Sequence, residues 1–146
     1  MALQYVTMLS VLIWSGCLVA ISFMESWLKF RAPGVTVPIG LSIGTLVFRA
    51  LNRMEWFFAT AIFICFFLNK QDNDTIGSIL YGLAVVILAM QTAWLLPALN
   101  ARANKIIEGK VLPSSSLHWY YVGGEIIKLS SLIVLSFRLF KGFTAG

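Results

Sequence analysis

The chain has 146 residues, 59% of them hydrophobic and 12% charged, with a formal net charge of +5. An ordinary soluble domain is about 45–50% apolar and about 25% charged, so the composition excludes one, and it is far too apolar for a disordered chain. The length allows one domain, and the expectation is an all-α, polytopic membrane protein occupying residues 1–146. Eleven Lys/Arg against six Asp/Glu first suggests nucleic acid. That partner needs a basic face with stacking aromatics in a water-soluble setting. Here the basic residues sit at the ends of apolar runs. No nucleic-acid partner is expected, and orientation in a lipid bilayer explains the charges better.

A spanning helix needs roughly 20 predominantly apolar residues. Residues 5–25 form such a run, ended by Glu25. Lys29, Arg31, Pro33, Gly34 and Pro38 follow as a loop, with Pro and Gly as breakers. Residues 39–68 are apolar again, interrupted by Arg49, Asn52, Arg53 and Glu55. They read as one long helix with an interfacial start and a deeply inserted stretch from Met54 to Leu68. Residues 69–75 are a polar turn. Residues 76–99 are the third span, with Pro97 expected to kink its end. Residues 100–116 read as the longest polar loop. Residues 117–140 are the fourth span, followed by a basic tail. The first residues, MALQY, carry no Lys or Arg and no small-residue cleavage site follows, so no secretory signal peptide is expected.

Four spans put both termini on one side and the first and third loops on the other. Lys29, Arg31, Arg49, Arg53, Arg102, Lys105 and Lys110 fall on the loop side. Lys70, Arg138 and Lys141 fall opposite. The Lys/Arg bias predicts cytoplasmic first and third loops in a bacterial inner membrane.

Ionisable groups inside spans cost about 2.5–3.5 kcal/mol at mid-helix on insertion scales, so they face partners or cavities. The candidate ligand-binding residues are therefore Glu25, Arg49, Asn52, Glu55, Gln91, His118, Tyr121, Glu125 and Lys128. All lie toward the cytoplasmic half of the bundle. His118, Tyr121, Glu125 and Lys128 advance by three, four and three, which is one helical stripe. Lipid cannot satisfy such a stripe, so it must face inward. Glu25 and Lys29 are an i,i+4 pair. Two readings compete. In one, Glu125 with Lys128, and Glu55 with Arg49 or Arg53, only fix the packing of the bundle. In the other, these groups line a polar pocket open to the cytoplasm.

A metal site drawn from Glu25, Glu55, Glu125 and His118 lacks the paired Glu-x-x-His motifs of carboxylate bundles, so none is expected. Ser114–Ser116 beside His118 has no nucleophile elbow around it. Gly40 and Gly44 form GxxxG, Gly77 and Gly82 resemble it, and Gly123 and Gly124 precede Glu125; close helix packing is the usual meaning. Cys17 and Cys65 read as small apolar residues. Trp27 and Trp119 read as interface anchors.

Two resemblances follow from these motifs. Trp14-Ser15-Gly16, the pattern Gly44-x-x-x-Phe48-x-x-Leu51-Asn52-x-x-Glu55, and Leu117-His118 resemble a bacterial four-span family related to transmembrane-protein-205-like proteins. That resemblance implies a four-helix membrane bundle and no settled reaction. The run Arg49-Ala50-Leu51-Asn52-Arg53-Met54-Glu55 also resembles the Arg-Ala-x-x-Asn-x-x-Glu signature of membrane-associated glutathione and eicosanoid proteins. Asn52 and Glu55 match in spacing, Arg49 stands one residue closer to Asn52, and Leu46 and Val47 occupy the place of that family's glutamate–arginine pair. This second resemblance implies glutathione as cofactor, held between protomers of a trimer, with Arg49, Asn52 and Glu55 on its carboxylates and amine.

The leading expectation is a small non-enzymatic membrane protein that binds or passes a small polar or amphiphilic ligand without a cofactor. The alternatives are a glutathione-dependent enzyme and a structural subunit. The expected partners are the lipid bilayer and either a homo-oligomer or a larger membrane complex.

Overall fold

The computed structural model describes residues 2–68 and 74–144, and every regular element among them is helical. Four long helices result: α1 (Ala2–Arg31), α2 (Val37–Leu68), α3 (Thr75–Ile107) and α4 (Leu117–Thr144). The first three are long and apolar enough to cross a membrane. The fourth carries Glu125, Lys128, Arg138 and Lys141 and is not among the three.

Helical periodicity decides which residues meet. On α1 the buried positions include Thr7, Val11, Trp14, Leu18 and Ser22. On α2 they include Gly44, Leu51, Glu55, Ala59 and Ile62. On α3 Ala84, Leu88, Gln91 and Leu95 are buried, and on α4 Tyr121, Glu125, Lys128, Leu132 and Leu135. Steps of three, four and seven keep each set on one face. The opposite faces expose Leu9, Phe57, Phe63, Phe67, Ile79, Val86 and Phe137. So Glu55, Glu125 and Lys128 are buried within a largely apolar interior, and large apolar side chains also cover the outside. That distribution suits lipid and would be an aggregation hazard in water.

The helices form a ring. α1 packs along α2 and α4, α3 packs along α4, and the second half of α3 packs on α2. Neighbours run antiparallel, because each contact pairs a late residue with an early one. Lys29 reaches Gly44, the Tyr81 hydroxyl bonds the Ala59 carbonyl, and Arg138 bonds Asp74.

Two helices are not α-helical throughout. Val19–Glu25 in α1 and Gln91–Leu95 in α3 are π-helical. The helix continues through Pro97, the position of the expected kink, and one of the two π turns lies next to it. Proline has no N–H to return to the turn before it, so the ladder is already broken there, and the π turn stands immediately upstream.

The expected loop 100–116 is helical as far as Ile107. The run Ala101-Arg102-Ala103-Asn104-Lys105 is dominated by good helix formers. The stop comes at Gly109, whose φ of +84° a side chain resists. There the amide of Lys110 donates to the carbonyl of Lys105 at 3.0 Å, as in a Schellman ending. Most of the expected 69–75 turn lies outside the described residues. Only Asp74 and Thr75 belong to them.

Candidate functional site

Lys128 is the centre of the polar interior. Its Nζ lies 2.5 Å from Glu55 Oε1 and 2.8 Å from Glu125 Oε1. It also donates to Gln91 Oε1 at 2.6 Å. Exposure is 0% for Lys128 and 1% for Glu55, Gln91 and Glu125. The expected pocket open to the cytoplasm is therefore closed: these groups are sealed inside the bundle. Glu55, Gln91 and Lys128 each fall within one turn of the midpoint of their helix.

Neutral donors complete the shell. Trp14 Nε1 donates to Glu55 Oε1 at 3.0 Å. Ser22 Oγ donates to Glu125 Oε2 at 2.7 Å. Gln91 Nε2 donates to Glu125 Oε1 at 2.8 Å. The Tyr121 hydroxyl sits against Glu125 and Ser22, and its ring meets Phe48 edge-on with centroids 5.3 Å apart. Buried charges need this many partners, because an ion taken from water carries a penalty of several kcal/mol even after relaxation.

Both π turns feed this site. Ser22 lies in the first and Gln91 in the second. A π turn adds a residue per turn and re-aims the side chains around it, and such bulges are frequent at functional sites. Close approach of α3 to α4 rests on Gly124. A Cβ there would stand 3.1 Å from Gln91 Nε2 and 3.3 Å from Ile87 Cγ2.

The structure thus brings together Glu55, Gln91, Tyr121, Glu125 and Lys128. The other expected residues stand apart. Asn52 donates instead to Thr92 Oγ1 at 2.8 Å, which also accepts from Trp56 Nε1 at 3.0 Å. Glu25 pairs with Lys29 at 3.2 Å, nearer the loop end. Lys29 Nζ lies 5.4 Å from the centroid of the Phe48 ring. Arg49 is exposed, because two residues before Leu51 lies on nearly the opposite face of the helix. For the same reason neither Arg49 nor Arg53 pairs with Glu55, which takes Lys128 as its partner. His118 is exposed in the first turn of α4. It lines a cavity of about 200 Å³ with Leu41, Leu99, Arg102 and Ser115. Arg49, Asn52 and Glu55 therefore share no single pocket within the chain.

Sequence reasoning passed over Trp14 and Ser22 as site residues. The available signal was spacing: Trp14, Leu18 and Ser22 repeat every four residues on one face. Ser10 continues the same repeat, and small hydroxyl residues on a tryptophan's face in an apolar run mark the side turned from lipid.

The two directions out of the cluster differ. Toward the first and third loops come Ser22, Tyr121, Phe48 and then the Lys29–Glu25 pair. Toward the other end, Val11, Ile62, Ala84, Leu132 and Leu135 form an apolar layer. Beyond it Arg138 bonds Asp74 through two nitrogens, at 3.0 and 2.6 Å. That guanidinium holds the Asp74 carboxyl below the usual carboxylate range. The pair borders a cavity of about 330 Å³ that Thr7, Phe66, Ser78 and Leu135 also line.

Comparison of the chain with family models, curated proteins and solved structures gives no match.

Proposed function

We propose that the chain is a four-span inner-membrane protein that binds or passes a small polar or amphiphilic ligand at its buried ionisable cluster. The observation that carries this reading is the Lys128 ammonium wedged between Glu55 and Glu125, sealed near mid-bundle. Ionisable side chains at that depth mark substrate or ion sites by default, since a bundle held by apolar packing needs none of them. The two π turns that supply Ser22 and Gln91 support the same reading.

α4 serves as the fourth span in this reading. Its mid-helix charges, Glu125 and Lys128, point inward and its outward face carries Ile126, Ile127, Ile133, Val134 and Phe137. The resemblance to the four-span family implies the same count. The first and third loops face the cytoplasm, following the Lys/Arg bias. Four short helices enclose no wide pore, so passage of a ligand requires a homo-oligomer or a larger complex.

Native mass spectrometry of the gently solubilised protein, with and without glutathione, tests the reading. The expected result is a retained small-molecule mass that Glu125→Gln loses while circular dichroism stays native. Equal occupancy in the variant, or a Glu55→Leu/Glu125→Leu/Lys128→Leu triple variant that keeps both its fold and its ligand, makes the cluster a packing device. A glutathione mass gained on each protomer of a trimer would turn the assignment to the glutathione-dependent enzyme.

A further inference from the structure

Counting charge in the sealed cluster leaves one too many. Glu55 and Glu125 contribute two negative charges and Lys128 one positive charge. Trp14, Ser22 and Gln91 are neutral. The ionisable groups around Glu125 are Glu55 from α2, and Lys128 and Tyr121 from its own helix. α1 contributes Ser22 and Trp14, and α3 contributes Gln91, none of which ionises in the physiological range. Full ionisation would leave a net charge of −1 away from water, which a low-dielectric interior opposes. The place a metal cation would take between the two carboxylates is already filled by the Lys128 ammonium.

We infer that the cluster binds one exchangeable proton, held on Glu125 Oε2 and hydrogen-bonded to Ser22 Oγ. The choice of oxygen follows from what each can meet. Glu55 Oε1 meets Trp14 Nε1 and Lys128 Nζ, which only donate, and among the described residues no hydroxyl bonds Glu55. Glu125 Oε1 meets Lys128 Nζ and Gln91 Nε2, which also only donate. Glu125 Oε2 meets the Ser22 hydroxyl, 2.7 Å away, the Tyr121 hydroxyl lies against the same carboxyl, and a hydroxyl accepts as readily as it donates. When Glu125 is ionised, Ser22 donates to it. When Glu125 is protonated, the bond reverses and Ser22 accepts, with no heavy atom moving. The proton arrives from bulk and leaves to bulk, so no other reactant is needed. Ser22 and Tyr121 lie toward the first and third loops, whereas the side chains in the other direction are mainly apolar, with Ser10 and Ser131 buried among them.

The inference rests on the reading of this cluster as a functional site and names its first ligand. Infrared spectroscopy of the protein in an ester-free maltoside detergent tests it. At neutral pH the wild type is expected to show the carbonyl stretch of one protonated carboxyl group, moving down in D₂O. Glu55→Gln and Glu125→Gln should each abolish it, since either change balances the remaining charges. Lys128→Met should double it. Ser22→Ala should shift its frequency while leaving its intensity, because the acceptor is lost and the proton stays. A wild-type spectrum without the band at neutral pH overturns the proposal, whatever the variants do. A band indifferent both to Ser22→Ala and to a Ser22→Ala/Tyr121→Phe double variant removes Glu125 as the holder. A missing band alongside a ligand mass that Glu125→Gln still abolishes would sink the proton alone. A band with no retained ligand would sink the ligand reading alone.

Discussion

Lys128 and Arg138 lie on the same helix, and each binds carboxylate at closely similar distances, 2.5 and 2.8 Å for one and 2.6 Å for the other. Their settings are opposite. Lys128 and its two glutamates are sealed, with 0–1% exposure, whereas Arg138 and Asp74 are 37% and 36% exposed. Distance alone would rank them equal. Solvent separates them, because water screens the outer pair and would reclaim either partner at little loss. In the interior no water replaces a missing partner. The comparison teaches that the inner cluster is committed as a unit, whereas the outer pair, though bonded through two nitrogens, has water at hand to replace either partner.

The sharpest way to break that contrast is Lys128→Met. It leaves two carboxylates without their cation, and removing one member of a buried pair costs about 3–5 kcal/mol. Reversible unfolding in mixed micelles should show that loss at neutral pH. It should shrink as pH falls toward the ordinary glutamate value, where the protons that Glu55 and Glu125 take up in the folded variant cost less relative to the unfolded chain. Next comes Trp14→Phe, which keeps an aromatic ring and deletes the donor to Glu55. A hydrogen bond to a charged group contributes about 1.5–3 kcal/mol, so the same assay should show a loss of about 2 kcal/mol.

Gly124→Ala sharpens the geometric side. The new methyl must displace Gln91 by a few tenths of an ångström. Overpacking costs about 1–3 kcal/mol, against a helix-propensity gain of about 0.5–1 kcal/mol. A net loss near 1 kcal/mol is expected, together with a shift in the cluster's infrared bands.

The outer pair should give the smallest response. Arg138→Ala is expected to lower stability only slightly, and high salt should erase the difference from wild type. Its pH dependence has a definite sign. The folded Asp74 carboxyl is held below its ordinary value by Arg138. Its contribution is therefore complete above the unfolded carboxylate value of about 4 and is lost as pH falls through the folded value. Asp74→Asn should remove that acid-side slope and leave the neutral-pH response of Lys128→Met untouched. Equal losses for Arg138→Ala and Lys128→Met would end the contrast.

Much of this molecule was legible along the chain. Glu125 and Lys128 lie at i,i+3 on α4, and any helix through them puts both on one face. Glu25 and Lys29 met as their spacing implied. Gly40 and Gly44 admitted α1 to α2, with Lys29 lying over Gly44. Arg49 and His118 misled because polarity alone does not say which face is inside. Arg49 shares its polarity with Glu55 and not its direction. His118 shares the stripe of Tyr121 but sits one turn nearer the loops, exposed at a separate cavity with Leu41, Leu99 and Arg102. Glu55 found Lys128 and not a neighbouring arginine, a pairing across 73 positions that no local pattern contains.

The sequence by itself determined the class and the periodicity. Composition, run length and the 3.6-residue repeat are local properties, and they dictated long apolar helices with charged stripes turned from lipid. The tertiary structure alone decided which stripes share a centre, that Trp14 and Ser22 join it, and that the centre is closed. Those outcomes depend on the register between helices, which small residues and two π turns set by allowing or refusing close approach. A charge in a sequence states only that a partner is required; packing chooses the partner.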